Sequence, residues 1–189
     1  MRIRPTARKK ASRWAALALA GAALLAPLTG LATATATTAH HQVAAAKDAT
    51  SGFTRPGAAR HAGYALLKDQ DNIACIAMKG MGAMGIHYAN GNLVDGKIQV
   101  RHPEALVYRF ARNGHLRLAA LEYLVPQALW RENHPTGRPE LFGHRFNFTP
   151  DGNRFGLPAF YSLHAWFFHD NPAGRYAMFN PSLFCPPGV

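Results

Sequence analysis

The chain has 189 residues and carries 21 lysines and arginines against 10 aspartates and glutamates. Six of the basic residues and none of the acidic ones precede His40, so the remainder holds 15 basic and 10 acidic residues, a net charge of +5. These basic residues are scattered and form no run interleaved with aromatic residues. The composition therefore argues against a nucleic-acid-binding protein.

Residues 1–39 have the pattern of a secretory signal peptide. The segment from Arg2 to Arg13 is basic and contains no acid, and an apolar run from Trp14 to Leu25 follows it. Small residues then recur at the spacing that a processing protease requires, for example in Thr37-Thr38-Ala39. The alternative is an uncleaved anchor, but the apolar run is shorter than a membrane span. We expect a secreted protein that has no membrane attachment after cleavage.

The composition of residues 40–60 differs from that of the residues that follow. The segment is rich in alanine, threonine, glycine and serine and has few large apolar residues, which predicts a disordered lead-in. Residues 61–189 contain no internal repeat and are numerous enough for one hydrophobic core. We predict a single globular secreted domain there.

Cys75 and Cys185 are the two cysteines of the chain. An even number of cysteines in a secreted chain predicts a disulfide, and a metal site is disfavoured because neither cysteine lies in a CxxC motif. In the chain-entropy model, closing a loop of this length stabilises the fold by roughly 4 to 5 kcal/mol at most.

The first predicted elements of the domain are a short helix between Ala58 and Leu67 and a strand from Met84 to Tyr88, which carries His87. Gly80, Gly82 and Gly85 lie around the start of that strand. No lysine followed by serine or threonine succeeds them, so a phosphate-binding loop is excluded. The glycines are expected to provide positive φ angles or close backbone contacts.

A β-hairpin is the clearest pattern in the sequence. Ala105–Arg112 and His115–Val125 are rich in strand-forming residues, and Asn113-Gly114 between them is typical of a two-residue type I′ turn. That turn pairs Phe110 with Arg117 and Ala105 with Glu122. Arg109 would then face Leu118.

The predicted register puts Glu122 on an apolar face of the hairpin. A carboxylate there needs a partner or must remain protonated. Arg109 shares the face but lies about 13 Å away at ~3.4 Å per residue, too far for a direct ion pair. The partner of Glu122 must come from another part of the fold, and the small residues around Glu122 leave room for it.

The remaining elements complete a β-rich α+β fold. A helical turn is predicted for Ala128–Asn133, a strand for Leu141–Phe148, and a strand covered on both faces for Phe160–His169, with His164 at its centre. We expect one mainly antiparallel, curved sheet with one or two short helices.

Several short motifs follow one another between Tyr64 and Cys185. They are GMGAMGIHY, PEALVY, LEYLVP, LFG, LHAWFF, NPAG and FNP. This series resembles a family of small secreted bacterial proteins, common in actinobacteria, of unassigned function. The resemblance implies a signal peptide and a single compact domain but brings no activity. A glutamate usually follows the tyrosine of PEALVY in that family, whereas this chain has Arg109.

The leading functional hypothesis is a small-ligand or metal-binding domain. His87, Glu122 and His164 lie in predicted strands with apolar neighbours, and two histidines with one carboxylate are a ligand set for divalent transition metals. No HxH or HxxE spacing requires these three residues to converge. In the alternative of a structural core without a small-molecule site, each is a buried polar group with a local partner.

An enzyme is the second alternative. A hydrolytic or metal-dependent reaction would use His164 and Glu122, with Ser162 or Ser182 as a nucleophile beside His164. However, the chain has no GxSxG motif, and disulfide-bonded cysteines are not nucleophiles.

Overall fold

The computed structural model describes residues 29–189, with side chains from Thr37 onward. Most of the predicted signal peptide therefore lies outside the described residues. The helices are α1 (Thr29–Thr50), α2 (Pro56–His61) and α3 (Gln127–Asn133). The strands are β1 (Ala65–Leu66), β2 (Cys75–Met78), β3 (Gly82–Ala89), β4 (Ala105–Phe110), β5 (Leu116–Pro126), β6 (Glu140–Leu141), β7 (His144–Arg145), β8 (Asn147–Thr149) and β9 (Phe160–Ala165).

Seven strands form one antiparallel sheet, which confirms the predicted α+β, β-rich single domain. The strand order is β1-β3-β4-β5-β9-β8, and β2 pairs with β3 as well. Away from their turn, the central strands β4 and β5 are buried on both faces, as in a sheet that is covered on both sides. Their buried residues include Leu106, Tyr108, Leu121, Tyr123 and Val125.

The hairpin between β4 and β5 differs from the predicted two-residue turn. Ala111 pairs with His115, and the amide of Gly114 donates to the carbonyl of Ala111, so the loop has three residues, with Gly114 at a φ of +75°. Near the turn Arg109 faces Arg117 and Phe110 faces Leu116, one residue away from the predicted partners.

A β-bulge at Ala119 compensates for this difference. The register shifts between Val107 and Tyr108, because β5 has one extra residue there. Beyond the bulge Val107 faces Ala120 and Ala105 faces Glu122, which are the predicted pairs. The sequence-based position of Glu122 is therefore correct although the predicted turn is wrong.

Two glycines at the start of β3 are required by close backbone contacts, as the sequence predicted. Gly82 has a φ of +85°, and a Cβ atom there would lie 2.1 Å from the carbonyl oxygen of Asn180. Gly85 has a φ of +90°, and its Cβ would lie 2.7 Å from Val107 Cγ1. The absence of side chains lets β3 approach the chain around Asn180 and β4, which fixes the position of His87 two residues later.

Three predicted elements are shorter or differently divided than expected. The helix expected to reach Leu67 ends at His61. The strand expected for Leu141–Phe148 is divided into β6, β7 and β8, because Phe142 and Gly143 both adopt positive φ angles and reverse the chain. β9 ends at Ala165, since the amide of Trp166 donates to the Arg175 carbonyl outside the sheet.

Residues 40–60, expected to be a disordered lead-in, carry the C-terminal half of α1 and most of α2 in the structure. Ala46 and Thr50 are fully buried. Gln42 accepts a hydrogen bond from the Phe142 amide, and Asp48 pairs with Arg101 at 3.0 Å. The prediction of disorder weighed only large apolar residues, whereas alanine and threonine one helical turn apart pack on the domain here.

The predicted disulfide is present between Cys75 and Cys185, whose Cα atoms are 5.5 Å apart. It links β2 to the C-terminal segment across a sequence separation of 110 residues. Among the helices described for residues 29–189, none has the length and apolar character needed to cross a membrane.

Candidate metal centre

Three strands bring His87, Glu122 and His164 together. Glu122 on β5 lies directly opposite His164 on β9, so the two side chains share one face of the sheet. His87 on β3 is separated from β5 by β4, where Ala105 faces Glu122 and Val107 faces His87. Because Ala105 carries only a methyl group, the His87 ring can extend across β4 toward the carboxylate.

The side-chain atoms of the three residues are within contact distance. His87 Nε2 lies 3.0 Å from His164 Nε2 and 3.4 Å from Glu122 Oε2. His164 Nδ1 lies 3.5 Å from Glu122 Oε1. One ligand atom from each residue can be chosen so that all lie within 4.8 Å of one another. The structure thus brings together all three residues that the sequence proposed as metal ligands.

Burial determines the protonation of this cluster. His164 is fully inaccessible, and His87 and Glu122 are 3% and 6% exposed. Desolvation lowers the pKa of His87 and of His164 to about 4 and raises the pKa of Glu122 above its ordinary range. Both imidazoles are therefore neutral at pH 7, the form that binds metals.

The two imidazole rings share one hydrogen bond. Nε2 of His87 and Nε2 of His164 lie 3.0 Å apart, so one of these nitrogens donates its proton to the other. Nδ1 of His164 is buried and has no hydrogen-bond partner. An unsatisfied buried nitrogen costs stability unless another state of the site provides a partner.

An apolar cavity of about 240 Å³ opens onto the cluster from one side. His87 and Glu122 form part of its wall, whereas the fully buried His164 does not line it. The rest of the wall is mostly apolar and includes Ile76, Met84, Leu124, Phe160 and Phe179, with Arg154 among its few polar residues. A compact, largely apolar molecule could therefore reach the exposed edge of the cluster.

Two further polar residues lie near the cluster. Ser162, two residues before His164 on the same face, donates a hydrogen bond to Glu122. Glu104, directly before β4, is 2% exposed and accepts a hydrogen bond from the Leu124 amide at 2.9 Å. Burial raises the pKa of Glu104 to about 8. The sequence placed Ser162 beside His164, but as a candidate nucleophile and not as a partner of Glu122, and it assigned no role to Glu104.

The pairing of Ser182 with His164, which the enzyme alternative could use, is not observed. Ser182 Oγ instead lies 3.2 Å from Nε2 of His169 and donates to Oδ1 of Asn180 at 2.7 Å. Because the hydroxyl proton is directed at Asn180, His169 acts as donor to Ser182 and not as its base. This serine is therefore not an activated nucleophile in the structure.

Comparisons of the chain with family models, with curated proteins and with solved structures give no match. Any functional conclusion therefore depends on the geometry of the residues described above.

Proposed function

We propose that the protein is a metal-binding domain in which His87, Glu122 and His164 hold one divalent transition-metal ion. The observation that carries the proposal is the convergence of three ligand atoms from three strands within 4.8 Å. Two imidazoles and one carboxylate suit zinc, copper, nickel or iron.

The spacing of the ligand atoms supports this function. Zinc binds nitrogen and oxygen at about 2.0 to 2.2 Å, so neighbouring ligands of a tetrahedral ion lie ~3.3 Å apart. His87 Nε2 lies 3.0 Å from His164 Nε2 and 3.4 Å from Glu122 Oε2. These two distances are close to that spacing, and no pair of the three ligand atoms is more than 4.8 Å apart.

An unpartnered ring nitrogen supports the same function. Nδ1 of His164 is buried, has no hydrogen-bond partner and lies 3.5 Å from Glu122 Oε1. Coordination of a metal ion by this nitrogen would provide the missing partner. The hydrogen bond between His87 and the backbone of Gly85 is of the kind that orients a metal-binding histidine.

The cavity supplies the remaining coordination position. Because it reaches His87 and Glu122, a water molecule or the polar group of a small ligand can approach the ion from that side. An open position of this kind is also what a metal-dependent enzyme needs, and that is the second candidate function. Hydrolysis that requires the added metal and is lost in the Glu122→Gln variant would favour the enzyme.

Metal analysis tests the proposed function directly. The protein, purified without chelator, is expected to contain or take up one zinc, copper, nickel or iron ion per chain by elemental analysis and calorimetric titration. The His87→Ala variant should lose binding, whereas His102→Ala, which removes an exposed histidine, should not. Correctly folded protein that binds none of these ions would refute the proposal.

We further propose that the protein acts outside the cytoplasm. The basic and apolar pattern of residues 1–39 supports this, and so does the disulfide between Cys75 and Cys185. A reporter enzyme fused to residues 1–39 should be exported by a bacterial host. Replacing the apolar run with polar residues should retain the reporter inside the cell, and equal export of both fusions would contradict the proposal.

A further inference from the structure

A second polar region lies at the hairpin end of β4 and β5. Arg109 and Arg117 are direct partners in the register, so their side chains lie on the same face. Arg112 belongs to the adjoining turn. Among the residues that the structure describes, no carboxylate forms an ion pair with any of these three arginines. Like charges directly opposite each other destabilise a strand pair, so this arrangement needs an explanation.

The hydrogen bonds of the arginines are incomplete. Nη1 of Arg109 donates to the carbonyl of Phe110 at 3.2 Å, and Nη1 of Arg117 donates to the carbonyl of Leu116 at 3.4 Å. The Nε atom of Arg109 is buried and has no partner. An N–H group of a cation left without an acceptor is a costly defect in a folded protein.

An open cavity of about 660 Å³ adjoins these groups. All three arginines line it, together with Ser51, Thr54 and other residues that carry no negative charge. The nearby Asp48 does not line it and is paired with Arg101. A neighbouring cavity of about 470 Å³ shares Arg109 and Arg112 and also lacks a carboxylate in its wall.

We propose that this cavity is a binding site for a phosphate or sulfate group, in which Arg109, Arg112 and Arg117 provide the charge. Guanidinium groups match the oxygens of such anions with paired hydrogen bonds. Thr54 lines the same cavity and adds a hydroxyl donor, whereas the hydroxyl of Ser51, also in the wall, donates to the Asp48 carbonyl at 2.9 Å. The bound anion neutralises the arginine pair.

The size of the cavity bears on the form of the ligand. Its volume is in the range of sites for drug-sized molecules, so the anionic group can belong to a larger organic molecule as well as to a free ion. The site is independent of the metal centre, because it shares no residue with His87, Glu122 and His164.

The bulge at Ala119 creates the site. In the uninterrupted register expected for a two-residue turn, Arg109 would face Leu118 and Arg117 would lie on the opposite face. The extra residue at the bulge puts Arg117 opposite Arg109. The Leu118 amide then bonds to the carbonyl of Thr54 at 3.2 Å, which holds the Ser51–Thr54 wall beside the arginines.

Phosphate titration of the full chain tests the proposal, by calorimetry and by thermal unfolding against sodium chloride of equal ionic strength. Inorganic phosphate at ten times its Kd should raise Tm by about 3 °C or more. Phosphate affinity should fall at least ~10-fold in Arg117→Gln and stay unchanged in Arg145→Gln, which removes an exposed arginine of β7. Equal responses to phosphate and chloride, or equal responses of the two variants, would overturn the proposal.

The stability of the variants separates an anion site from a structural role. Without phosphate, Arg117→Gln should unfold at a temperature no lower than the unsubstituted protein, because it removes like-charge repulsion. A lower Tm together with unchanged phosphate affinity would identify Arg117 as structural and contradict the site. Glycerol 2-phosphate, tested in parallel, distinguishes the ligand sources. Tighter binding than inorganic phosphate indicates a phosphate ester, and equal binding indicates the free ion; both support the oxyanion site.

Discussion

Charged side chains are buried at one end of the β4–β5 hairpin and exposed at the other. At the Glu122 end, β9 pairs with β5 from Leu121 to Pro126, so the carboxylate and its two histidines are enclosed and approach one another. At the turn, β5 extends past the end of β9. Arg109 and Arg117 are half exposed there, Arg112 is exposed, and none of the three forms an ion pair with a carboxylate in the part of the chain that the structure describes. Where β9 pairs with β5, the polar side chains form a buried cluster. Where β9 is absent, they form an exposed cationic surface.

The largest expected effect is at the enclosed end. Glu122→Gln keeps the shape of the side chain but removes the only negative ligand, so metal affinity should fall more than about 100-fold, since outer hydrogen-bond partners alone contribute 10- to 100-fold. Isothermal titration with zinc measures the change, and Glu140→Gln, at an exposed position, is the control. Unchanged affinity would show that Glu122 is not a ligand.

Protonation of the enclosed histidines is the next test. In chelator-treated protein, the rings of His87 and His164 should remain neutral until the pH approaches their pKa of about 4, rather than titrating near 6.5. Their contribution to stability is full above pH 6.5 and is lost as the pH falls from 6.5 through 4, on the order of 3 kcal/mol for each at most. Assigned NMR signals of His87 or His164 that titrate near pH 6.5 in the folded state would contradict the enclosed geometry.

The contribution of Glu104 to stability should change with pH in the opposite direction from that of the two histidines. Its pKa is raised to about 8, so its contribution to stability is present below pH 4.5 and is lost as the pH rises through 8. Glu104→Gln can still accept the Leu124 hydrogen bond but never ionises. Its free energy of unfolding should therefore exceed that of the unsubstituted protein at pH 8, by a few kcal/mol at most, with little difference at pH 4.5. Urea unfolding at the two pH values measures this, and an equal difference at both would refute it.

The smallest effect is expected at the open end. Arg117→Glu gives Arg109 an opposite charge across the strand pair and should raise the free energy of unfolding by about 0.5 kcal/mol at low salt. The gain should disappear at ~1 M salt, where the Debye length is about 3 Å. A gain that persists at high salt would show that the arginine pair is not an electrostatic defect.

Local counting along the sequence was sufficient to place Glu122 but not its partners. Its pairing with Ala105 follows from the hairpin, and the absence of an Arg109 ion pair follows from distance. His164 lies opposite Glu122 because β5 pairs with β9, which is distant in the sequence. His87 reaches Glu122 because β4 lies between β3 and β5. No local sequence pattern determines the β5–β9 register or this strand order.

The arginine site was missed for a different reason. The Asn113-Gly114 pattern favours a two-residue turn, and that turn directs Arg117 away from Arg109. The three-residue loop and the bulge depend on bonds to distant residues, such as the Leu118 amide to Thr54 and the Phe168 amide to Ala119. Local turn preference cannot include these tertiary contacts.

The bulge at Ala119 also separates the two ends of the ribbon mechanically. Two arrangements of the hairpin give the same β4–β5 partners for Ala105, Leu106 and Val107: a three-residue turn with the bulge, and a two-residue turn without it. The partners differ only for Tyr108, Arg109 and Phe110. The tip of the hairpin can therefore slip by one residue while Glu122 stays opposite Ala105. Ligand binding among the arginines is accordingly expected to have no allosteric effect on the histidine cluster, since the bulge absorbs the displacement between them.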